Sequence, residues 1–449
     1  MTQVRAHPLR RQLRRSLRAA VARLPRGLRF AAYRRMVECD PAPKLRLELK
    51  IAQTQDELEA CFALLHDAYV ASGFMQPHPS GLRVTPYHAL PTTTTLCAKV
   101  DGRVAGTLSI VREGVFGFPM QSAFDLSAVR AREGRIAEIS ALAIAPEFRR
   151  TGGTILFPLM KFMYEYCTRY FDTRHLVIAV HPERIELYEA LLLFERLPAR
   201  PVEHYDFAGG APAIGATLDL QTAAQRYRAL YGGRSERRDL HRYFVETRLA
   251  QIHHPPRSYF TSNDPVLTPA LLDHFFNRRT DVLAGLDERR RRLLRSVYTG
   301  AAWQAVLPDC APTAGDDEAA LRAHPRFSLK CPASISHEVG STVARQRATV
   351  IELAMHGFQA RTIRPLAVGT RCRVEVELGE NLRSCVEAVL VRNVASGSGH
   401  FHGFRVEAPD AAWRRCVLAL QESDTHLELA RHGTQGRSGL PSAAETAHA

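Results

Sequence analysis

The chain has 449 residues, which exceeds one ordinary hydrophobic core and predicts two or three domains. With 45% apolar and 24% charged residues it reads as a soluble globular protein, and no run approaches the roughly 18 apolar residues of a membrane-spanning helix. The nine cysteines form no CxxC pair, and the adjacent His253 and His254 have no companion at ligand spacing. No metal site is therefore expected, and the thiols read as reduced in a cytosolic protein.

The net charge of +14 is concentrated at the N-terminus. Residues 1–37 carry eleven arginines and no acid, so the other 412 residues sum to +3. Leu9, Leu13, Leu17, Val21 and Leu24 recur at helical spacing with arginines on the other faces, a basic amphipathic helix broken near Pro25-Arg26-Gly27. Residues 1–44 read as an arm that is either solvated or docked on an anionic membrane surface or an acidic protein. The localisation expected is cytoplasmic, with peripheral attachment to the inner face of the membrane through this arm. No DNA-binding motif accompanies the charge.

Residues 45–220 mix strands and helices in an α+β pattern. Residues 45–52 alternate as a strand, 55–72 are helical, and 94–113 form two strand-like runs around Asp101-Gly102, a hairpin signal. A strand is expected over 135–146, a helix over 153–170, a strand over 175–180, a helix over 183–193 and a last strand over 211–220. Residues 221–315 read as a helical linker, with "DERRRRLLRS" (287–296) as a solvated helix face. Residues 316–425 contain short strands at regular spacing followed by "DAAWRRCVLALQE" (410–422), the pattern of a small β-barrel closed by a helix. The tail, 426–449, is rich in Gly, Ser and Ala and reads as disordered.

The stretch "EISALAIAPEFRRTGGTILFPLMKFMY" (138–164) carries the first chemical signal. A strand runs into a glycine-containing turn and then a helix, so backbone N–H groups and the positive end of a helix dipole face outward, a geometry that binds phosphate. It is neither a Walker loop nor a dinucleotide fingerprint. "RRTGGT" (149–154) resembles the R/Q-x-x-G-x-G/A loop of the GNAT acyltransferase fold, with Thr154 where Gly or Ala is usual. The resemblance implies that Arg149, Arg150, Thr151, Gly152, Gly153 and Thr154 hold the phosphate of coenzyme A or of a carrier protein's phosphopantetheine.

A narrower resemblance covers most of residues 46–220. "AYVASGFM" (68–75), "GFPMQSAFD" (117–125), "GRIAEISALAI" (134–144) and "GAPAIGATLDL" (210–220) look like the long-chain N-acyl amino acid synthases, relatives of the acyl-homoserine lactone synthases. That resemblance implies transfer of a long-chain acyl group from the phosphopantetheine of acyl carrier protein to the amine of an amino acid. It also implies Glu138 as the base and Tyr188 as the group facing the leaving thiolate. An ammonium cannot attack a thioester, so a base is required, and a carboxylate between Ile136 and Ile139 would have a raised pKa. Backbone N–H groups near Ala141–Ile144 would stabilise the oxyanion. Two departures stand out: His181-Pro182-Glu183-Arg184 where the family often has Asn-Pro-Arg-His, and Leu193-Phe194 where it has Gly-Phe.

The C-terminal barrel resembles a PilZ domain, a family that binds cyclic di-GMP. Arg322 and Arg326 have the RxxxR spacing, and "ELAMHG" (352–357) stands where the family has D/N-x-S-x-x-G. Gly357 matches, Glu352 replaces Asp/Asn and Ala354 replaces Ser. The resemblance implies Arg322, Arg326, Glu352 and Gly357 as the nucleotide site, with cyclic di-GMP as effector. An enzyme regulated through this module is therefore one reading. The other is a non-catalytic cyclic di-GMP or protein-binding module on a decayed acyltransferase scaffold. A lactone synthase using S-adenosylmethionine is a weaker third.

Overall fold

The computed structural model describes residues 24–43, 45–132, 134–149, 151–171, 173–255, 260–261, 267–298, 301–310, 327–379, 382–396 and 399–421. The amphipathic stripe from Leu9 to Val21, Arg150, Arg322, Arg326 and the tail lie outside the described residues.

The N-terminal domain is built on one sheet. Its strands are β1 (Leu47–Ile51), β2 (Thr93–Val100), β3 (Arg103–Arg112), β4 (Arg135–Ile144), β5 (Thr173–Val180), β6 (Glu195–Arg196), β7 (Val202–Tyr205) and β8 (Ala211–Asp219), in the order β1–β2–β3–β4–β5–β8–β6 with β7 beside β8. Asp101 (φ 47°) and Gly102 (φ 78°) make the tight turn between β2 and β3, the left-handed pair that Asp-Gly favours. All pairs are antiparallel except β4–β5.

Two irregularities of β4 shape the site. Opposite β3 the register runs from Thr107–Ala143 to Ser109–Ser140, so Ala141 and Leu142 together face one residue, Leu108. Ala141 takes φ 54° in this bulge, a conformation costly for a residue with a Cβ. Opposite β5, pairing stops at Glu138–Val177, while β5 continues to Val180 against β8 alone. The two central strands therefore splay apart just beyond Glu138.

Helices cover both faces. The helix α1 spans Arg26–Arg35, α2 spans Gln55–Ala71, α3 spans Leu156–Arg169, α4 spans Pro182–Leu192 and α5 spans Leu220–Tyr231. Thr54 and Glu57 cap α2 reciprocally, and the Glu57 carboxylate also receives Lys50 and Lys99 at 2.9 and 2.8 Å. Apolar residues of α3 (Leu159, Phe162, Met163, Tyr166) join Ala137, Leu108 and Ile178 in one core. On β4, Ile136 points the other way, into a core with Phe118, Met120 and Tyr205, and by the two-residue alternation of a strand Glu138 shares that face.

The helix α1 begins where the sequence places a break, with Pro25 as its N-cap. It packs on α4: Arg26 pairs with Glu189 at 2.8 Å, Arg29 with Glu186, and Arg34 Nε donates to the Ala190 carbonyl at 2.9 Å. Part of the arm's charge is thus spent inside the molecule.

The stretch read as a helical linker is helical over much of its described length but does not stand free as a bridge. Tyr227, Tyr243 and Phe244 join the α3 core, and Leu272, Phe275, Phe276, Leu294, Tyr298 and Trp303 pack with Phe62 and Leu65 of α2. Its Arg291 and Arg295 donate to carbonyls at 284, 286, 307 and 308 rather than facing only solvent.

The short strand β9 (Phe260–Thr261) pairs with β10 (Phe327–Val339) of the C-terminal domain, a barrel of β10, β11 (Thr342–Ala354), β12 (Gly357–Thr362), β13 (Arg371–Gly379), β14 (Leu382–Ser396) and β15 (Gly399–Val406). The order β11–β12–β15–β14–β13–β10 closes through β10–β11, six strands with no free edge between them. A helix over Ala411–Gln421 covers one end, its Trp413 indole donating to the Ala354 carbonyl at 3.0 Å. This is the barrel-plus-helix expected from the sequence.

Candidate active site

The splay of β4 and β5 opens a cavity of about 480 Å³. Its walls differ by face. Leu108, Met160, Met163, Ile178, Leu192 and Phe194 give it an apolar wing on the α3 side, and Glu138, Tyr69, Ser72 and Tyr205 give it a polar wing on the other.

Glu138 is 1% exposed, on a central strand. The Met120 backbone N–H donates to its Oε2 at 2.9 Å. Burial pushes its carboxyl up to about 8, against the opposing pull of that hydrogen bond. No ion pair forms at Glu138 among the described residues. Tyr188, on α4, lines the same cavity half-buried, with its ring edge-on to Phe194 at 6.0 Å. Burial raises its pKa, so the hydroxyl keeps its proton and can donate it. The structure thus brings both expected catalytic side chains to one cavity, together with Ser140 and the bulged Ala141 and Leu142.

His181 caps α4, its Nδ1 accepting from the Glu183 N–H at 3.3 Å, and its ring stacks on Phe74 at 6.0 Å. At the other end of α4, Leu193 takes φ 61°, the left-handed conformation a glycine would adopt freely. A non-glycine residue there costs about 1–2 kcal/mol, and Leu193 offsets it by burial in the core.

The expected phosphate loop forms a separate outward-facing surface at the start of α3. Gly152 (φ 71°) and Gly153 (φ 89°) both need the left-handed region. A Cβ on Gly153 would strike the Phe157 ring at 2.5 Å, whereas Gly152 has nothing within 4 Å, leaving room for a ligand against its backbone. Arg149 Nε donates to the Ile144 carbonyl at 2.8 Å, Thr151 to the Phe148 carbonyl at 2.8 Å, and the Thr151 and Thr154 hydroxyls bond to each other. None of these residues lines the 480 Å³ cavity.

Of the expected nucleotide residues, Glu352 lines a second cavity of about 440 Å³ with Arg112, Arg130, Arg135 and Phe171 of the other domain. Arg135 Nη2 donates to the Ile351 carbonyl at 2.6 Å. Gly357 opens β12, where a Cβ would meet the Phe404 carbonyl at 2.9 Å, so its lack of a side chain is required by packing.

Residues 60–219 match the family model of the N-acyl amino acid synthase FeeM. This region is an acyltransferase domain. Among solved structures, FeeM from uncultured soil microbes is 22% identical, aligning 40% of this chain with 95% of that one at a TM-score of 0.35. The acyl-homoserine lactone synthase LasI is 18% identical, with 42% and 96% covered and a TM-score of 0.33. A PilZ domain of YcgR from Escherichia coli, with c-di-GMP, is 19% identical, with 26% and 98% covered and a TM-score of 0.19. No curated protein sequence matches the chain.

One residue of the acyltransferase cavity had no sequence motif to mark it. Tyr205 is 3% exposed, lines the polar wing, and its hydroxyl has no hydrogen-bond partner among the described residues. Leaving a buried polar group unpaired costs roughly 1–3 kcal/mol. The surrounding text, "EHYDFAGG" (203–210), reads as an ordinary turn.

Proposed function

We propose that the domain transfers a long-chain acyl group from the phosphopantetheine of acyl carrier protein to the amine of an amino acid. The observation that carries this is a buried carboxyl with a raised pKa beside a bulged, splayed strand, in a cavity with one apolar and one polar wing. The acceptor ammonium gives a proton to ionised Glu138, and the free amine attacks the thioester carbonyl. Negative charge on the carbonyl oxygen is met by backbone N–H groups of β4 near Ala141–Ile144, where the strand is bulged. When the carbon–sulfur bond breaks, Tyr188 protonates the thiolate and is reprotonated by the second proton that the nitrogen sheds as the amide forms. The acyl chain lies along Met160, Met163, Leu192 and Phe194, burial worth ~0.8 kcal/mol per CH₂. The loop at 149–154 holds the donor's phosphate at the start of α3.

Regulation through the barrel is part of the same proposal. Glu352 and the Ile351 carbonyl abut Arg135, which stands three residues from Glu138 on β4. A cyclic di-GMP molecule in that seam would act on the strand that carries the base. The reading as a decayed scaffold is disfavoured by Glu138 and Tyr188 lining one cavity and by Gly152 being kept in the loop before α3. The test is incubation with long-chain acyl carrier protein, or acyl-coenzyme A, and the twenty common amino acids, followed by mass spectrometry. An N-acyl amino acid is expected with the carrier protein. Its absence with both donors would remove the reading.

A further inference from the structure

The polar wing of the cavity contains a hydrogen-bond donor that the described residues leave unused. Tyr205 ends β7, and its hydroxyl is buried with no partner among the described residues. Arg83 lies over the Tyr69 ring at 3.9 Å and over the ring of Phe207, a neighbour of Tyr205, at 5.3 Å. Its Nη2 donates to the Phe207 carbonyl at 2.6 Å, and it makes no ion pair among the described residues. Tyr205 packs against Phe207 and Phe124, with ring centroids 6.0 and 6.2 Å away, which fixes its ring. Both Glu138 and Arg83 lie within electrostatic reach of the Tyr205 phenol. The cavity therefore holds a fixed hydroxyl donor and the base on one lining, with the Arg83 charge stacked on the Phe207 ring that Tyr205 also packs against.

An α-amino acid is a zwitterion whose two charged groups are separated by one carbon. A site that turns its ammonium toward Glu138 must place its carboxylate close by, on groups that donate. We infer that the Tyr205 hydroxyl donates to the α-carboxylate of the acceptor, with Arg83 supplying the neighbouring positive charge. The inference rests on the acyl-transfer reading and adds to it the reason for an amino acid rather than a simple amine. It also gives the orphaned hydroxyl its partner: the bond absent from the free protein is made to the substrate.

The experiment compares the full-length protein with Tyr205→Phe. The acceptors are the twenty common amino acids and, for each one that reacts, the amine lacking its carboxylate. Tyr205→Phe is expected to raise KM for the amino acid by roughly ten- to a hundred-fold, the scale of a hydrogen bond to a charged group. The kcat, the KM for the acyl donor and the reaction of the carboxylate-free amine should be unchanged. The melting temperature should be equal or higher, because the substitution removes a hydroxyl that lacks a partner in the fold. An unchanged KM for the amino acid overturns the inference, as does an equal loss with the carboxylate-free amine. A wild-type protein that makes no acyl amide at all fails the acyl-transfer reading instead, and the two failures are distinct.

Discussion

The Met120 backbone N–H donates to Glu138 Oε2 at 2.9 Å, and it is the one hydrogen bond this buried carboxyl receives from the described residues. A single donor orients the group without neutralising the cost of ionising it. The carboxyl is therefore held in place yet kept a good proton acceptor, with a pKa of about 8.

The loop at the start of α3 should bind donor phosphate through its backbone. Gly152→Val forces a β-branched residue into φ 71° and puts a side chain in the space left open there. Isothermal titration with acyl carrier protein should show affinity reduced at least ten-fold, with circular dichroism unchanged. Retained affinity would move the phosphate elsewhere.

Tyr188→Phe should lower kcat by about 10- to 100-fold with little change in either KM, because the hydroxyl acts when the thiolate leaves. A donor analogue with a more acidic thiol should recover most of the loss. Equal losses with both donors would return Tyr188 to packing.

Cyclic di-GMP should bind the barrel weakly. Ala354 lacks the hydroxyl of the usual serine, a loss of about 0.5–1.5 kcal/mol, and Glu352 is one methylene longer than aspartate. Calorimetry should give no sub-micromolar site, and Glu352→Asp with Ala354→Ser should tighten binding. A tight site in the unchanged protein contradicts this.

The N-terminal arm needs dividing before it is tested. Deleting residues 1–37 removes α1 and leaves Glu186 and Glu189 without Arg29 and Arg26, so thermal melting should show a loss of stability. Deleting residues 1–23 removes seven of the eleven arginines and leaves α1 docked. If the arm binds membrane, this shorter deletion abolishes sedimentation with anionic vesicles and spares KM for acyl carrier protein. A raised KM without vesicle binding in the intact protein assigns the arm to the carrier. No change in either makes it a solvated tail.

What the sequence made legible was local. The Asp101-Gly102 turn, the strand–loop–helix around Gly152 and the regular strands of the barrel all follow from nearest-neighbour patterns, and they formed as expected. Glu138 was visible through the resemblance to the acyl amino acid synthases, with its place between Ile136 and Ile139 as added support. What was not legible depends on contacts far apart in the chain. Tyr205 becomes notable only when the fold sets it beside Glu138 and Arg83. The docking of Arg26 on Glu189 spans 163 positions, and an arginine-rich segment alone gives no sign of it. The packing of residues 220–307 against α2 and α3 is likewise invisible in a helical periodicity, which fixes a buried face but not its partner.

The most direct test of the account is the rate of acyl-amide formation by the wild type and Glu138→Gln from pH 6 to 9.5. A base with a raised pKa is protonated below about 8, so the wild-type rate should rise with pH and level off above that value. Glu138→Gln should be slower by roughly 10²–10⁴-fold, with no step near pH 8. Stability should move the other way. Folded Glu138 holds a proton between about pH 4.5 and 8 that the unfolded chain releases, so the wild type loses up to about 1.4 kcal/mol per pH unit across that window. The glutamine variant lacks this loss and should melt higher at pH 8.5. An equal rate in the variant, or a wild-type rate with no pH dependence, would contradict acyl transfer through Glu138.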